Sequence, residues 1–408
     1  MQIVSPSKLG ELLAALAPNP RIVASGNFAT PHTLLAIAEH ALPKFRLHML
    51  NAQPGIPDRE GITYESAFVG AGMRRHPRLN YIPSRLSLVP VLFRDHFVPN
   101  VVMLNTSRMR DGKLSLGTEV NILPAAIEAA RATGGIVVAQ ANSQMPYTFG
   151  DSELDASQID YVVEVDEALA EKPAAAPSEN AQTIGGRVAE MLGDGSTLQL
   201  GIGAIPDAVV ARLGEKRELR IWTEMFSDGV LALTRAGALD NSTPITASFI
   251  FGGRELYDWV NLNESVQMRR TETTNDPANI ARQRRMTSIN SALQVDLFDQ
   301  ANASHVNGRI YSGFGGSTDF IVGALHSLGG KSIMALQSWH PKAKTSTIVP
   351  RLTEYVTSFQ HSFVITEQGV ADCFGHTEHE QAQNLIEQAA HPDARAELRA
   401  AASALGLI

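Results

Sequence analysis

The stretch Leu123-Pro-Ala-Ala-Ile-Glu-Ala-Ala-Arg-Ala-Thr-Gly-Gly-Ile-Val-Val-Ala-Gln140 decides the fold class of this chain. In Leu123–Ala132 the apolar residues recur three and four positions apart, which is the spacing of an amphipathic helix. The pattern then gives way to Gly135–Gln140, an apolar run typical of a buried strand. A helix followed at once by a buried strand predicts an α/β protein with a largely parallel sheet.

The same alternation continues along the chain and extends the α/β prediction to both halves. In the first half the predicted elements are strands at Arg21–Ser25, Asn100–Asn105 and Tyr161–Glu164 and a helix at Thr30–His40. In the second half they are a helix at Thr183–Leu192, strands at Ser196–Gly201, Ile245–Phe251, Gln294–Leu297, Ser332–Leu336 and Ser362–Thr366, and helices within Glu378–Leu405.

The length of the chain predicts two domains, because 408 residues exceed what one ordinary core organises. The small, polar and proline-punctuated stretch Ala168–Gln182 is the best candidate for a linker. We therefore expect one α/β domain over residues 1–175 and a second over residues 183–408.

Composition and charge exclude several classes of function. A net charge of −8 and an isoelectric point of about 5.9 do not favour a nucleic-acid or membrane surface. The chain contains no apolar run of about 18 residues and no secretory pattern at its start, so cytoplasmic residence is expected. The single cysteine, Cys373, excludes an intrachain disulfide and a metal site with several cysteines.

The segment Gln199-Leu-Gly-Ile-Gly-Ala-Ile-Pro-Asp-Ala-Val209 predicts a strand, a glycine turn and a helix start. Gly201 and Gly203 permit close backbone approach, Pro206 suits a first helical turn, and the helix start offers free N–H groups to an anion. The spacing matches neither the dinucleotide fingerprint nor a Walker loop. A tight turn without a ligand explains the segment about as well.

The loop Gly313-Phe-Gly-Gly316 is the second candidate. Three glycines in four residues are entropically unfavourable unless the backbone bends sharply or approaches another group. One function for such a loop is to aim N–H donors at a developing oxyanion. The alternative is a plain turn before a helix.

Other chemically suggestive residues have simpler explanations. Carboxylates within Thr223–Gly229 and Phe251–Asp258 suit helix capping or ion pairs. His376 and His379 lack a third ligand close by, so a surface feature is favoured over a metal site. Cys373 is expected to be an inert apolar filler rather than a nucleophile.

Taken in order, segments along the whole chain resemble the acetyl-CoA hydrolase/transferase family, which includes 4-hydroxybutyrate CoA-transferases. The matching segments are Tyr81–Ser87, Ser115–Gly117, Ala139–Pro146, Gly150–Ser152, Ile159–Asp166, Gln199–Val209, Thr223–Val230, Phe251–Tyr257, Asn275–Pro277, Ser288–Leu297, Gly313–Gly323, Gly329–Ser332 and Val364–Asp372.

The resemblance implies two related open α/β domains of the NagB/RpiA/CoA-transferase-like fold around an interdomain cleft, and usually a homodimer or higher assembly. It implies transfer of CoA between a short acyl-CoA and a small carboxylate acceptor through a glutamate that forms covalent acyl and CoA intermediates. Acyl-CoA is then a substrate, and no permanently bound cofactor or metal is expected.

The resemblance assigns site residues by position. The catalytic set is Gln294, Gly315, Gly316 and Glu367, and the CoA- and substrate-binding set is Gly201, Gly203, Ile205, Pro206, Glu224, Phe226, Gly313, Lys331 and Trp339.

Four departures from the family pattern accompany this assignment. The position matching Gln294 is normally the nucleophilic glutamate, and an amide is a poor nucleophile that still forms hydrogen bonds. Phe149 stands where a histidine is usual, Gln337–His340 replaces Pro-Ser-Thr-Ala, and Ser346–Val349 lacks an arginine. Several departures together favour natural divergence over a single engineered change.

The sequence therefore leaves several functions open. A CoA-transferase is the leading hypothesis; a diverged hydrolase that positions water, or an acyltransferase to another nucleophile with Glu367 or Glu224 as base, are its alternatives. A non-catalytic acyl-CoA binder is a separate class. A sugar-phosphate isomerase-like enzyme rests on fold analogy alone.

Overall fold

The structure is a computed structural model that describes residues 1–171, 176–354, 356 and 360–408. Part of the predicted linker, residues 172–175, lies outside the described residues.

Short strands account for most of the regular elements. In chain order they are β1 Gln2–Ile3, β2 Arg21–Ala24, β3 Phe45–His48, β4 Ile62–Ser66, β5 Leu79–Tyr81, β6 Val101–Thr106, β7 Lys113–Ser115, β8 Ile136–Asn142, β9 Phe149–Gly150, β10 Glu153–Asp155, β11 Tyr161–Val165, β12 Thr197–Gln199, β13 Arg220–Ile221, β14 Met225–Phe226, β15 Ile245–Ala247, β16 Phe249–Ile250, β17 Val266–Met268, β18 Met286–Asn290, β19 Gln294–Asp296, β20 Ala301–Asn302, β21 His305–Val306, β22 Arg309–Ile310, β23 Lys331–Ala335, β24 Trp339–His340, β25 Thr345–Ser346, β26 Ile348–Val349, β27 Phe363–Ile365 and β28 Val370–Asp372.

The helices alternate with these strands. They are α1 Pro6–Ala14, α2 His32–Ala41, α3 Val89–Asp95, α4 Leu123–Ala132, α5 Glu179–Glu190, α6 Ala204–Val210, α7 Asp228–Arg235, α8 Arg254–Val260, α9 Thr271–Thr274, α10 Pro277–Ala281, α11 Ser317–His326, α12 Glu378–Asn384 and α13 Arg395–Ala404, with 3₁₀ turns at Leu86–Leu88, Ala156–Gln158 and Pro392–Ala394 and a π-helical turn at Leu385–Ala389.

The chain forms two compact units. The first consists of Met1–Lys172, Pro244–Thr274 and Ile310–Gly315, and the second of Pro173–Thr243, Asn275–Arg309 and Gly316–Ile408. The continuous domains 1–175 and 183–408 stay a prediction. The first boundary between the compact units lies near the predicted one, but the later stretches Pro244–Thr274 and Ile310–Gly315 belong to the first unit.

The first unit is built on an eight-stranded sheet in the order β1-β11-β8-β6-β2-β3-β4-β5. Neighbouring strands run parallel throughout, and Val, Ile, Leu and aromatic side chains on both faces are buried, as parallel sheets require. From β2 the chain adds β3 on one side, whereas β6 joins on the other. The strand order therefore reverses between β2 and β6.

The second unit is built on a six-stranded sheet in the order β13-β12-β18-β23-β27-β28. The sheet is parallel except for its last pair. On one face α10 and α11 pack so closely that a methyl group on Gly323 would meet Cβ of Ile280 at 2.4 Å. Val295, Leu336, Val364 and Leu398 belong to the apolar core of this unit.

The α/β fold class predicted from the sequence is confirmed, and most predicted strands differ from the observed ones only at their ends. The helix predicted from Thr183 begins at Glu179, because the Ser178 hydroxyl accepts a hydrogen bond from the Ala181 N–H and caps it. The strand predicted at Ile245–Phe251 is divided at Ser248, whose carbonyl accepts a hydrogen bond from the Val120 N–H at 2.9 Å.

No helix within the described part of the chain is both long enough and apolar enough to span a membrane.

Candidate active site

Most of the predicted site residues of the second unit follow the carboxyl ends of its parallel strands. Gly201 and Gly203 follow β12, Glu224 follows β13, Trp339 follows β23 and Glu367 follows β27. In open α/β sheets this edge is where ligands bind. The topology of the sheet therefore brings these residues to one edge, although they are far apart in sequence.

The glycine turn after β12 is open to solvent. Gly203 has a φ of 126°, a region that favours glycine, and a methyl group built on it would meet nothing within 4 Å. The turn leads into α6, where Ile205 is half-buried and Pro206 is buried. The Thr223 hydroxyl joins this turn to the end of β13, since it donates to the Leu200 carbonyl at 3.1 Å.

Glu224 is the most perturbed carboxylate of this edge. Its side chain is half-buried, and its Oε2 accepts a hydrogen bond from the Asn275 amide at 2.9 Å. Desolvation raises the pKa of Glu224 to about 7; the Asn275 hydrogen bond opposes this change and the charge of Asp319 adds to it. The carboxyl group is therefore more basic than an ordinary glutamate.

Gly316 supplies the backbone surface against which Glu224 lies. A methyl group built on Gly316 would meet Oε2 of Glu224 at 1.9 Å and the Asn275 amide nitrogen at 2.2 Å. Gly316 precedes α11, whose first turn contains the fully buried Asp319. Only a residue without a side chain fits here.

The two earlier glycines of the loop belong to the first unit. Gly313 pairs with Phe68 in an antiparallel bridge, and a methyl group on it would meet the Ala67 carbonyl oxygen at 2.4 Å. Gly315 has a φ of 58°, and its carbonyl accepts a hydrogen bond from the Leu86 N–H at 2.9 Å. These glycines thus serve local packing and turning.

Gln294 also follows the carboxyl end of a strand of this sheet, β18. It is half-buried at the start of β19, which pairs with β20 and β26 in a small sheet. Its backbone pairs with Asn302, and its side chain makes no hydrogen bond to any residue that the structure describes. No hydrogen bond joins it to the described residues around Glu224.

Glu367 holds two strand ends together. Its carboxylate accepts a hydrogen bond from the Ser338 N–H at 2.9 Å and another from the Ser338 hydroxyl, and the Gln368 amide lies at 3.3 Å. Because Ser338 follows β23 and Glu367 follows β27, these bonds fasten neighbouring loops at the carboxyl edge. The carboxylate is already well supplied with donors.

The remaining predicted binding residues lie in three different surroundings. Lys331 begins β23, at the opposite edge of the sheet, and its ammonium group donates to the Met191 carbonyl. Phe226 is fully buried. Trp339 is half-buried, with its ring centroid 4.7 Å from that of His391.

The simpler explanations offered for other residues are consistent with their surroundings. Cys373 is fully buried, and burial raises the pKa of its thiol, so it is a poor nucleophile. His376 lies 3.6 Å from carboxylate oxygens of Asp372 and of Glu380. In the described ranges no group of three or more His, Cys, Asp or Glu could hold a metal ion.

Two contributors to the Glu224 environment, Asn275 and Asp319, were not identified from the sequence as site residues. Asn275 stands in the Asn275–Pro277 motif, which signalled it only as part of a family pattern. The contact between Asn275 and Glu224 spans 51 positions and could not be derived from local sequence.

Solved structures with the same fold include RipA and CoA-transferases. RipA from Yersinia pestis aligns over 100% of this chain and 98% of its own, with 28% identity and a TM-score of 0.92. A 4-hydroxybutyrate CoA-transferase from Porphyromonas gingivalis aligns over 99% and 98% of the two chains, with 31% identity and a TM-score of 0.81. The fold is therefore that of the CoA-transferases.

Sequence comparison identifies the family. Models of the acetyl-CoA hydrolase/transferase N-terminal and C-terminal domains match residues 50–171 and 252–402. A 4-hydroxybutyrate coenzyme A transferase from Clostridium kluyveri is 37% identical over 86% of this chain and 85% of its own length. An acetyl-CoA hydrolase from Saccharomyces cerevisiae is 34% identical over 49% of this chain and 39% of its own.

The chain belongs to the acetyl-CoA hydrolase/transferase family, as the resemblance implied. The prediction of an enzyme family that acts on acyl-CoA is thereby confirmed.

Proposed function

We propose that this protein transfers CoA between a short acyl-CoA and a small carboxylate, and that Glu224 is the residue that carries the acyl group and then CoA. The observation that carries the proposal is the Glu224 carboxylate, raised in pKa to about 7 and lying against the Gly316 backbone. The relatives support transfer as the reaction, since one is a 4-hydroxybutyrate coenzyme A transferase and another a succinyl-CoA:acetate/propanoyl-CoA:succinate CoA transferase.

The chemistry needs an ionised carboxylate with one free oxygen. Asn275 engages Oε2, so Oε1 is the atom that attacks the thioester carbonyl. The thiolate leaves, and an acyl-glutamyl anhydride forms. The thiolate then attacks the glutamyl carbonyl of the anhydride, releasing the first acid and giving a glutamyl-CoA thioester. The acceptor carboxylate attacks this thioester, and the displaced thiolate takes the new acyl group, which restores Glu224.

Glu224 suits this role better than Gln294 for two reasons. A carboxylate becomes a stronger nucleophile as its pKa rises, provided that it remains ionised at the working pH. Gln294 offers only a neutral amide, and it makes no hydrogen bond with the described residues around Glu224. With Glu224 as the nucleophile, CoA transfer does not require a carboxylate at position 294.

The supporting residues have distinct proposed roles. Gly316 leaves room for the Glu224 carboxylate, and the open turn at Gly201 and Gly203 receives the CoA thioester arm. Glu367 fixes the loops after β23 and β27, and Trp339 borders the acceptor side of the same edge. Acyl-CoA is a substrate in this scheme, and no permanently bound cofactor takes part.

The decisive experiment compares the native protein with Glu224→Gln and Gln294→Glu. CoA exchange between butyryl-CoA and acetate and release of free thiol are measured separately. We expect Glu224→Gln to lower exchange at least about 1,000-fold, because the covalent step disappears. Gln294→Glu should stay within a few-fold of the native rate.

Other outcomes distinguish the alternatives. Exchange that appears only in Gln294→Glu would overturn the role of Glu224. Thiol release without exchange would indicate a hydrolase. Binding of CoA without either activity, in all the proteins, would indicate a non-catalytic acyl-CoA binder.

We also propose that the protein is a cytoplasmic homodimer or higher homo-oligomer without a nucleic-acid partner. The acidic net charge of −8 and the single cysteine support this location, and the family resemblance supports the assembly. Light scattering of the purified protein tests the assembly: a monomer at micromolar concentration would contradict it.

A further inference from the structure

The second unit carries a basic cluster at the amino edge of its sheet, formed by Arg282, Arg284 and Arg285 and called the arginine cluster below. These residues belong to the connection between α10 and β18, and all three are exposed. They line one open cavity of about 580 Å³ together with Ala281, Gln283, Leu328 and Gly329. Cavities of about 300–1,000 Å³ are the usual size of small-molecule sites.

The backbone that carries the arginine cluster is fixed from two sides. The Ser327 hydroxyl donates to the Gln283 carbonyl at 2.6 Å. The Thr197 hydroxyl, on β12, donates to the Arg284 carbonyl at 2.7 Å. The three side chains therefore extend from a frame that is held by the neighbouring strand and by the end of α11.

Two of the side chains lie along the turn that precedes β12. Nη1 of Arg285 donates to the Asp194 carbonyl at 2.9 Å, and a methyl group built on Gly195 would meet Cζ of Arg284 at 3.8 Å. The Asp194 carboxylate accepts a hydrogen bond from the Arg217 backbone N–H at 2.8 Å. The turn thus places the guanidinium groups beside backbone atoms.

In the ranges that the structure describes, no carboxylate oxygen lies within 4 Å of a guanidinium nitrogen of the arginine cluster. Other arginines of the same unit do have such partners: Arg220 pairs with Asp240 at 2.9 Å and Arg399 with Glu387 at 2.8 Å. The chain as a whole has a net charge of −8. Three uncompensated positive charges within four residues therefore stand out against the acidic chain.

The positive charge of the cluster also reaches Lys331, at the start of β23. Burial lowers the pKa of Lys331, and the charge of Arg285 lowers it further. The Lys331 ammonium group donates to the Met191 carbonyl, a neutral partner. Like charges that repel one another at close range are stabilised by an anion placed among them.

We propose that the arginine cluster binds the di- or triphosphate group of a small anion. A guanidinium group matches phosphate oxygens with two parallel hydrogen bonds, which is why arginines are common in phosphate sites. Three such groups balance the roughly three negative charges that a diphosphate group carries near neutral pH. A monocarboxylate would balance only one of them.

The cluster lies away from the candidate active site. Arg285 directly precedes β18, whereas Glu224 follows the carboxyl end of β13 in the same parallel sheet. The five residues of β18 extend about 13 Å between the two edges. A ligand at the arginine cluster therefore does not occupy the site of CoA transfer, and this inference does not rest on the proposed function.

Two sources of the anion share this chemistry, an inorganic polyphosphate and a nucleotide. Leu328 is 91% exposed and gives the cavity an apolar wall. A nucleotide base can contact that wall, whereas an inorganic polyphosphate has no apolar part to place there. The affinities of the two kinds of anion distinguish these sources.

The test is calorimetric titration of the native protein with tripolyphosphate, ATP and sulfate, at constant ionic strength and with EDTA present. We expect one tripolyphosphate per chain, bound at least about tenfold more tightly than sulfate. Arg282→Gln and Arg284→Gln should each weaken it about tenfold, because each removes charge-assisted hydrogen bonds. Each variant provides the answer if the other does not fold.

Tighter binding of ATP than of tripolyphosphate would identify a nucleotide site. Equal binding would identify a site for the phosphate chain alone. Both results support the proposal, provided that the two variants weaken the binding.

Arg399→Gln is the matched control, because it removes one exposed positive charge from the same unit at a residue that already pairs with Glu387. It should keep the native affinity. Equal affinities for sulfate and tripolyphosphate, or an equal loss in all three variants, would overturn the site and leave a solvated basic surface.

A second titration is made in the presence of saturating CoA. An unchanged affinity for tripolyphosphate supports a separate site at the amino edge. Loss of tripolyphosphate binding would show that the anion occupies the acyl-CoA site, and it would overturn the proposal.

Discussion

The carboxylate of Glu224 packs against Gly316 so closely that a methyl group at that glycine would meet Oε2 at 1.9 Å. The two residues are 92 positions apart in sequence (316 − 224) and belong to the same unit. Asn275 completes the arrangement by donating to the same oxygen. This contact is the structural reason for expecting chemistry at Glu224.

Gly316→Ala should remove most of the transferase activity without unfolding the protein. The φ of Gly316 is −99°, which alanine adopts freely, so the effect comes only from the new methyl group against the carboxylate. A displacement of about 1 Å of the reacting group can reduce the rate about 100-fold. Steady-state CoA exchange and thermal unfolding measure the two effects.

Gly186→Ala is the control for this substitution, since Gly186 lies in α5 and a methyl group there would meet nothing within 4 Å. Its activity should equal that of the native protein. Native activity in Gly316→Ala would show that the Glu224 carboxylate is not the reacting group.

The pH dependence of kcat/KM should follow the ionisation of Glu224. With a pKa of about 7, the rate of the native protein should fall as the pH drops below 7, because protonation removes the nucleophile. Asn275→Ala removes a hydrogen bond that lowers this pKa, so the midpoint should move to higher pH.

Asp319→Asn should move the same midpoint in the opposite direction, because the charge of Asp319 raises the pKa of Glu224. The two variants therefore bracket the native profile. Shifts in the same direction, or an unchanged midpoint in both, would assign the acid limb to another group.

His48 should make the protein less stable in acid. Its ring is fully buried, neither ring nitrogen has a hydrogen-bond partner in the described structure, and desolvation lowers its pKa to about 4 from 6.5. Between these two pH values the unfolded chain binds more protons than the folded one. The contribution of His48 to the free energy of unfolding is therefore fully present above pH 6.5 and decreases as the pH falls towards 4. The contribution is about 3 kcal/mol, since each pH unit is worth about 1.4 kcal/mol.

His48→Leu tests this linkage, because it removes the titrating group from a site beside Phe93, whose ring centroid is 5.2 Å away. Urea unfolding at pH 7 and pH 4.5 should show a smaller loss of stability in the variant than in the native protein. An identical loss would mean that His48 does not govern the acid sensitivity.

Glu119 should make the protein less stable as the pH rises, whereas His48 makes it less stable as the pH falls. Its folded pKa of about 7 exceeds the ordinary value of 4.5, so the native state binds more protons within that window. Its contribution to stability is present below pH 4.5 and is lost as the pH rises through 7. Glu119→Gln removes the buried charge and should raise the free energy of unfolding by about 1–3 kcal/mol at pH 8.

The same variant should differ much less from the native protein at pH 5, where Glu119 is largely protonated in the folded state. Urea unfolding at the two pH values gives the comparison. A gain of equal size at both values would assign the effect to packing rather than to charge.

Local pattern was enough to predict much of the fold. Arg21–Ser25 and Gly135–Gln140 correspond to β2 and β8, because buried parallel strands are continuous apolar runs bounded by turn residues. The start of α5 was missed by four residues, since Ser178 caps the helix inside a stretch whose prolines and alanines suggested a linker. At Ile245–Phe251 a tertiary hydrogen bond at Ser248 divides a run that alone looks continuous.

The sequence by itself determined the α/β class, the family and the set of chemical groups available, because periodicity and ordered motifs are properties of the chain alone. Only the tertiary structure decided which groups meet. It placed Glu224, Asn275 and Gly316 in contact, left the Gln294 side chain without a hydrogen bond to the described residues, and put Lys331 at the opposite edge of the sheet. The raised pKa of Glu224 is likewise a property of the folded protein, because the desolvation that causes it depends on neighbours that are distant in sequence.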